Sequence, residues 1–199
     1  LRGVVGQKKI GHTGTLDPMV TGVLPICLGQ GTRVAEYIAD QGKTYEGTMV
    51  FGFETDTLDI EGDIVKQGPF PELTAEKLEE AFSNFRGKID QVPPMYSAVK
   101  IDGKRLYNLA RSGKEVERQA RQVEIYSLNL LSFDKKTCRF RCACSKGTYI
   151  RQWVKDIANH MGTLATLQEL VRTQVGAYQV EDALPIMALK EGKVDWRDE

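Results

Sequence analysis

The sequence predicts an α+β fold. Three observations carry that prediction: one segment alternates with the period of a strand, several stretches carry the period of a helix, and no regular strand-helix-strand succession follows from their order. "KTYEGTMVFG" (43–52) sets Tyr45, Gly47, Met49 and Phe51 on one face and Thr44, Glu46, Thr48 and Val50 on the other. "LTAEKLEEAFSNFRG" (73–87) places Leu78, Ala81, Phe82 and Phe85 at helical spacing, behind Thr74 as N-cap and ahead of Gly87 as stop. A second helix is expected over "GKRLYNLARSG" (103–113), with Leu106, Leu109 and Ala110 on one face and Lys104, Arg105 and Arg111 largely off it. A third is expected over "IRQWVKDIANHMG" (150–162), where Val154, Ile157, Ala158 and Met161 form the apolar stripe and Gly162 ends it. "QVPPMYSAVKIDG" (91–103) reads as irregular or extended chain with a turn at Asp102 and Gly103. Residues 70–121 read as an insertion between the strand that starts at Lys43 and the strand "QVEIYSLNLLSF" (122–133).

The 199 residues, 41% hydrophobic and 27% charged, suit one globular domain with an insertion. No apolar run reaches the roughly 18 residues of a membrane-spanning helix, and a cytoplasmic protein is the default expectation. Leu1 is not an initiator methionine, so a segment upstream is expected.

Four cysteines raise the question of a metal. Cys138, Cys142 and Cys144 share the parity of Phe140 in "TCRFRCACSKGTYIR" (137–151), whereas Arg139 and Arg141 take the other. That is the pattern of a half-buried strand with structural thiols facing inward, and neither paired CxxC spacing nor nearby histidines argue for zinc.

Net charge is zero, yet its distribution is uneven. Residues 52–82 hold nine acids and two bases, a net of −7, and residues 86–121 hold nine bases and four acids, a net of +5. Segregation of this kind gives a basic face that attracts phosphates on a neutral molecule, and it equally describes an ordinary solvated surface.

Two segments carry candidate chemistry. In "GHTGTLDP" (11–18), Pro18 disfavours the helical region at Asp17, and Gly11, Gly14 and, just beyond, Gly22 permit tight turns and close approach of another backbone. Asp17 at the rim of a cleft would serve as nucleophile or base; the same dipeptide also marks an ordinary turn. "CSKGTYIR" (144–151) leaves the thiol-lined strand and enters a helix, presenting Lys146, Tyr149 and Arg151. An arginine delivered there could pair with an aspartate and orient one carboxylate oxygen, and it fits a helix-start surface residue as well.

"GHTGTLDPMVTGVLPICLGQGTR", "KTYEG", "PPMYSAVKIDGKRLYNLARSG" and "CSKGTYIRQWVKDI", in this order along nearly the whole chain, resemble the bacterial tRNA pseudouridine synthase B (TruB) family, whose members isomerise the T-loop uridine of tRNA. The resemblance implies a mixed, mainly antiparallel sheet flanked by helices and loops, with the insertion as a thumb-like element that closes on the T stem-loop. It implies a catalytic domain over residues 1–183, a "KPxGxTS"-like loop before Leu1, and a C-terminal RNA-binding extension of which residues 184–199 are a stub. Asp17 matches the family's nucleophile, Tyr45 the tyrosine that stacks on the target base and is a candidate for proton abstraction, and Arg151 the arginine that pairs with the aspartate. Tyr149 and Leu170 match positions lining the uracil pocket, and His12 the histidine near the flipped-out nucleotide. Lys104 and Arg105 fall in the basic insertion, where contact with phosphates is expected.

The implied reaction breaks the C1′–N1 bond and joins C5 of the uracil to C1′, with no redox change, so neither cofactor nor metal is required. Asp17 would attack C6 of the ring or C1′ of the sugar, the second route passing through a glycal-like intermediate that Tyr45 near C2′ would suit. A tRNA partner, no membrane and a monomer are expected. Two other readings stand beside this one: a factor that grips tRNA without chemistry, which needs the basic insertion but not Asp17, and a carboxylate glycosidase, which needs a second acid opposite Asp17 that neither motif supplies.

Overall fold

The computed structural model describes residues 1–192 apart from Pro71 and Asp102. In chain order its elements are α1 (Arg2–Val5), β1 (Ile10–His12), β2 (Thr21–Gly22), β3 (Ile26–Leu28), α2 (Ala35–Ala39), β4 (Lys43–Phe51), β5 (Phe53–Thr55), β6 (Ile64–Gln67), α3 (Ala75–Ser83), β7 (Gly87–Gln91), β8 (Lys100–Ile101), β9 (Lys104–Arg105), α4 (Leu106–Arg111), β10 (Arg121–Phe133), β11 (Thr137–Cys144), α5 (Ile150–His160), β12 (Ala165–Val175), β13 (Tyr178–Gln179) and α6 (Ile186–Lys190).

The two-residue alternation at 43–51 becomes β4, with Tyr45, Gly47, Met49 and Phe51 buried and the intervening residues half-buried. Among the described residues, β4 lies inside a seven-stranded sheet: six strands in the order β13-β12-β4-β11-β10-β7, and β2 as the seventh, paired with β12. Every pairing in it is antiparallel except β2 with β12, where Thr21 faces Val171 and Gly22 faces Arg172 in parallel register. The α+β class and the mainly antiparallel sheet agree with expectation.

Helices α3 and α5 cover the buried side of the sheet. Thr74 caps α3 by accepting from Lys77 N at 3.3 Å, and Leu78, Ala81 and Phe82 turn inward. On α5, Val154, Ile157 and Ala158 of the expected stripe are buried, whereas Met161 is its half-buried C-cap, and Trp153 lies between Phe82 and Phe140 with ring centroids 5.8 and 4.9 Å away. Burial of each such large apolar side chain contributes about 1.5–3 kcal/mol. Cys138, Cys142 and Cys144 face this core with Phe140, all fully buried free thiols, and burial pushes Cys138 up to about 12, so it is an inert hydrophobe. No group of potential metal ligands assembles among the described residues. No described helix is long and apolar enough to cross a membrane.

Three expectations need correction. The α3 helix stops at Ser83, and Gly87, at φ +81, opens β7 instead of ending the helix. The part of the expected insertion that holds α3 and β7 belongs to the body, because α3 packs on α5 and β10 and β7 pairs with β10, so the stretch outside the sheet runs over residues 92–120. Lys104 and Arg105 are not helical: Gly103 at φ +77 turns the chain into a short hairpin in which Arg105 pairs with Lys100 and Lys104 with Ile101, and α4 begins only at Leu106. The other residue of that expected turn, Asp102, lies outside the described residues, as do residues 193–199 of the expected stub.

Candidate active site

The glycine-rich loop begins where β1 and β3 pair in antiparallel register, His12 opposite Ile26, and Thr13 N donates to Pro25 O at 3.3 Å. Inside it, Val20 N donates to Asp17 O at 2.9 Å, closing a turn with Pro18 at its second position, where the fixed φ of proline is already suitable. The ordinary Asp-Pro turn and the candidate site are therefore the same structure. At Gly22, φ is +111 and an added Cβ would lie 2.1 Å from Arg172 O, so only glycine admits the parallel contact that anchors the loop to β12.

From the opposite side, α5 delivers Arg151, whose side chain is 5% exposed. Its Nε donates to Asp17 Oδ2 at 2.8 Å, and its Nη2 reaches the same oxygen at 2.7 Å and Tyr96 O at 2.9 Å. Its Nη1 donates to Thr57 O at 2.7 Å and lies 3.5 Å from Asp59 Oδ2. Asp59 is buried and takes hydrogen bonds from Thr57 Oγ1 at 2.6 Å and Glu61 N at 3.2 Å. Between Thr57 and Asp59, Leu58 holds φ +66, a conformation costing about 1–2 kcal/mol for a non-glycine residue that brings both acceptors to one nitrogen. Asp17, by contrast, is 40% exposed, so the guanidinium is enclosed while the carboxylate it orients faces a cavity.

That cavity, about 100 Å³, is lined by Asp17, Tyr45, Tyr149, Arg151, Leu170 and Val20, among others. Tyr45 is 9% exposed, and burial pushes its hydroxyl far above the ordinary phenol range, with Cys144 and Asp17 adding to the shift and Arg172 opposing it. A phenol kept protonated offers its ring face for stacking and takes up a proton only after giving up its own. Burial likewise raises Tyr149, with Asp17 adding to the shift and Arg121 and Arg151 opposing it. The Tyr149 backbone is fixed on both sides by Gln91, whose Oε1 accepts from Tyr149 N at 2.8 Å and whose Nε2 donates to Tyr149 O at 3.1 Å.

Five of the residues expected in the site thus converge: Asp17, Tyr45, Tyr149, Arg151 and Leu170. His12 is exposed on β1 outside the cavity wall, its Nδ1 accepting from Gly14 N at 3.3 Å. Lys104 and Arg105 are exposed on the hairpin and line neither cavity; Arg105 donates to Tyr107 OH at 3.2 Å. A larger cavity of about 410 Å³ lies under the insertion between Pro93, Leu106, Arg118 and Arg121, and it brings none of the expected site residues together.

Sequence reasoning missed Asp59, Gln91 and Arg172. Asp59 sits in an acid-rich stretch that reads as surface, and Gln91 meets Tyr149 across a wide separation in the chain. Arg172 alone left a signal, a basic residue in the same parity as buried Leu170. Asp59 is also the acid nearest to Asp17 through Arg151, but it lies behind the guanidinium, engaged by three donors, and does not stand opposite Asp17 as the partner acid of a glycosidase would.

The family described as "TruB family pseudouridylate synthase (N terminal domain)" matches residues 2–150. The tRNA pseudouridine synthase B of Caldanaerobacter subterraneus subsp. tengcongensis is 44% identical over 98% of this chain and 69% of its own length. That of Francisella tularensis subsp. novicida is 48% identical over 96% of this chain and 64% of its own length. The chain therefore spans about two thirds of the length of these curated relatives. Among solved structures, a chain of a Cbf5-Nop10-Gar1 complex superposes with a TM-score of 0.72 at 27% identity, covering 98% of this chain and 51% of that one.

Proposed function

The chain belongs to the TruB family of pseudouridylate synthases, and from that premise we propose that it isomerises uridine to pseudouridine in tRNA, at the T-loop position, with Asp17 as nucleophile. The observation that carries this reading is the Asp17–Arg151 pair at the mouth of a cavity walled by Tyr45, Tyr149 and Leu170.

The geometry suits the chemistry step by step. A uridine stacked in a folded loop is out of reach, so it must be flipped into the cavity, where Tyr45 offers a ring face and Leu170 an apolar wall. Both guanidinium donors take Oδ2 of Asp17, which leaves Oδ1 for attack on C6 or on C1′. The C1′–N1 bond breaks, the uracil turns, C5 joins C1′, and the Asp17 oxygen leaves the carbon it had attacked as a free carboxylate; the proton on C5 leaves to solvent and N1 gains one. Atoms and charge balance without a co-reactant. The cavity at about 100 Å³ is smaller than a whole nucleotide, so the base alone is its expected occupant.

Residues 92–120, with Lys100, Lys104, Arg105 and Arg111, are the expected phosphate-contacting face of the insertion, and residues 1–183 the catalytic domain. We take tRNA as the partner, its T stem-loop as the bound element, the cytoplasm as the location and the monomer as the working form. Release of tritium from C5 of a labelled tRNA, with wild-type chain and with Asp17→Asn, tests the reading.

A further inference from the structure

Arg172 occupies a core-facing position of β12 at 2% exposure. Among the described residues it makes no ion pair. An uncompensated buried charge is costly, and here its donors go to neutral oxygens: Nε to Val23 O at 2.9 Å and Nη2 to Gly14 O at 3.2 Å. Gly14 and Val23 stand on either side of the turn that holds Asp17. The backbone of Arg172 grips the same loop, its carbonyl accepting from Val23 N at 2.9 Å beside the close contact with Gly22.

The strand register leads on to the cavity. Arg172 is the cross-strand partner of Tyr45, one of the residues lining the cavity that Asp17 faces. One side chain therefore holds both ends of the Asp17 loop from the strand position beside the ring that walls the site.

We propose that Arg172 is a positioning residue, locking the Asp17 loop onto β12 beside Tyr45 and so holding Asp17 at the cavity; this deepens the functional reading above and rests on it. Lysine is no substitute, because a single ammonium cannot span Val23 O and Gly14 O in the planar geometry of the guanidinium.

The test combines turnover of C5-tritiated tRNA with amide hydrogen exchange, which needs no activity, on the full chain and on Arg172→Lys. Arg172→Lys is expected to lower kcat about 100-fold while KM stays within about threefold. The amides of Val20 and Val23 should exchange about 10-fold faster, with those of Met49 and Phe140 in the sheet unchanged. A matching loss of protection throughout the sheet would reduce Arg172 to a packing residue and overturn the proposal. Loop exchange at the wild-type rate overturns it whether or not the wild type is active. If the wild type releases no tritium, the functional reading fails separately, and the exchange rates alone decide for or against the clamp. Should Arg172→Lys not fold, Arg172→Gln, which keeps a donor and drops the charge, takes its place under the same criteria.

Discussion

Arg151 places Nε and Nη2 on a single oxygen of Asp17, at 2.8 and 2.7 Å, while its Nη1 faces the buried Asp59 at 3.5 Å. One guanidinium therefore serves two carboxylates of different character, one at a cavity and one enclosed. The enclosed carboxylate depends on Arg151 for compensation of its charge, because its remaining partners, Thr57 Oγ1 and Glu61 N, are neutral.

Arg151→Met is accordingly expected to destabilise the fold by about 3–5 kcal/mol, and adding Asp59→Asn should recover part of that loss by removing the stranded charge. Urea unfolding of the two variants measures the difference. Equal midpoints would mean that Asp59 does not rely on the arginine.

Gly22→Ala should cost on the order of 3 kcal/mol and loosen the Asp17 loop, because the added methyl meets Arg172 backbone atoms, the nearest at 2.1 Å, and φ is +111. Thermal unfolding and loop amide exchange report it. A variant as stable as wild type, with the loop still protected, would contradict the parallel β2–β12 contact.

Tyr45 gives a pH dependence whose sign follows from burial. Its folded-state hydroxyl is raised above the ordinary value of about 10, so folding favours the protonated phenol. The contribution is complete below that ordinary value and is lost as pH rises above it toward the folded-state value. Wild type should therefore lose stability at strongly alkaline pH more steeply than Tyr45→Phe, as read from unfolding free energies along a pH series. Parallel curves would place the hydroxyl in water. At neutral pH, Tyr45→Phe should retain more turnover than Tyr45→Leu, since the ring face survives.

Lys104→Glu with Arg105→Glu should weaken tRNA binding and flatten its dependence on salt, because both side chains are exposed on the β8–β9 hairpin and each phosphate contact adds close to one to the slope of log affinity against log salt. Filter binding over a range of salt concentrations measures this. Affinity equal to wild type at every salt would remove the hairpin from the RNA interface.

Much of this organisation was legible in the sequence because burial imposes a period. The alternation of β4, the inward thiols of β11, the cap of α3 and the stripe of α5 are local patterns with local causes. Three features were hidden. Strand β7, "GKIDQ", is a polar edge strand that only its pairing with β10 defines. The basic pair 104–105 precedes a helix and reads as its first turn until Gly103 reverses the chain. Asp59, Gln91 and Arg172 reach the site from distant parts of the chain, and a buried polar residue looks like a surface one until its partners are known. The converging residues of the cavity were named from motif resemblance, and what the fold adds is the direction of each contact, above all the shared Oδ2.

The central claim is that Asp17 acts as the nucleophile of a uridine isomerase, and the most direct test follows release of tritium from a tRNA transcript labelled at C5 of its T-loop uridine. Release is expected with the wild-type chain and none with Asp17→Asn while that variant still binds the transcript. Release by Asp17→Asn at the wild-type rate, or no release by the wild-type chain from tRNA it has bound, would contradict it.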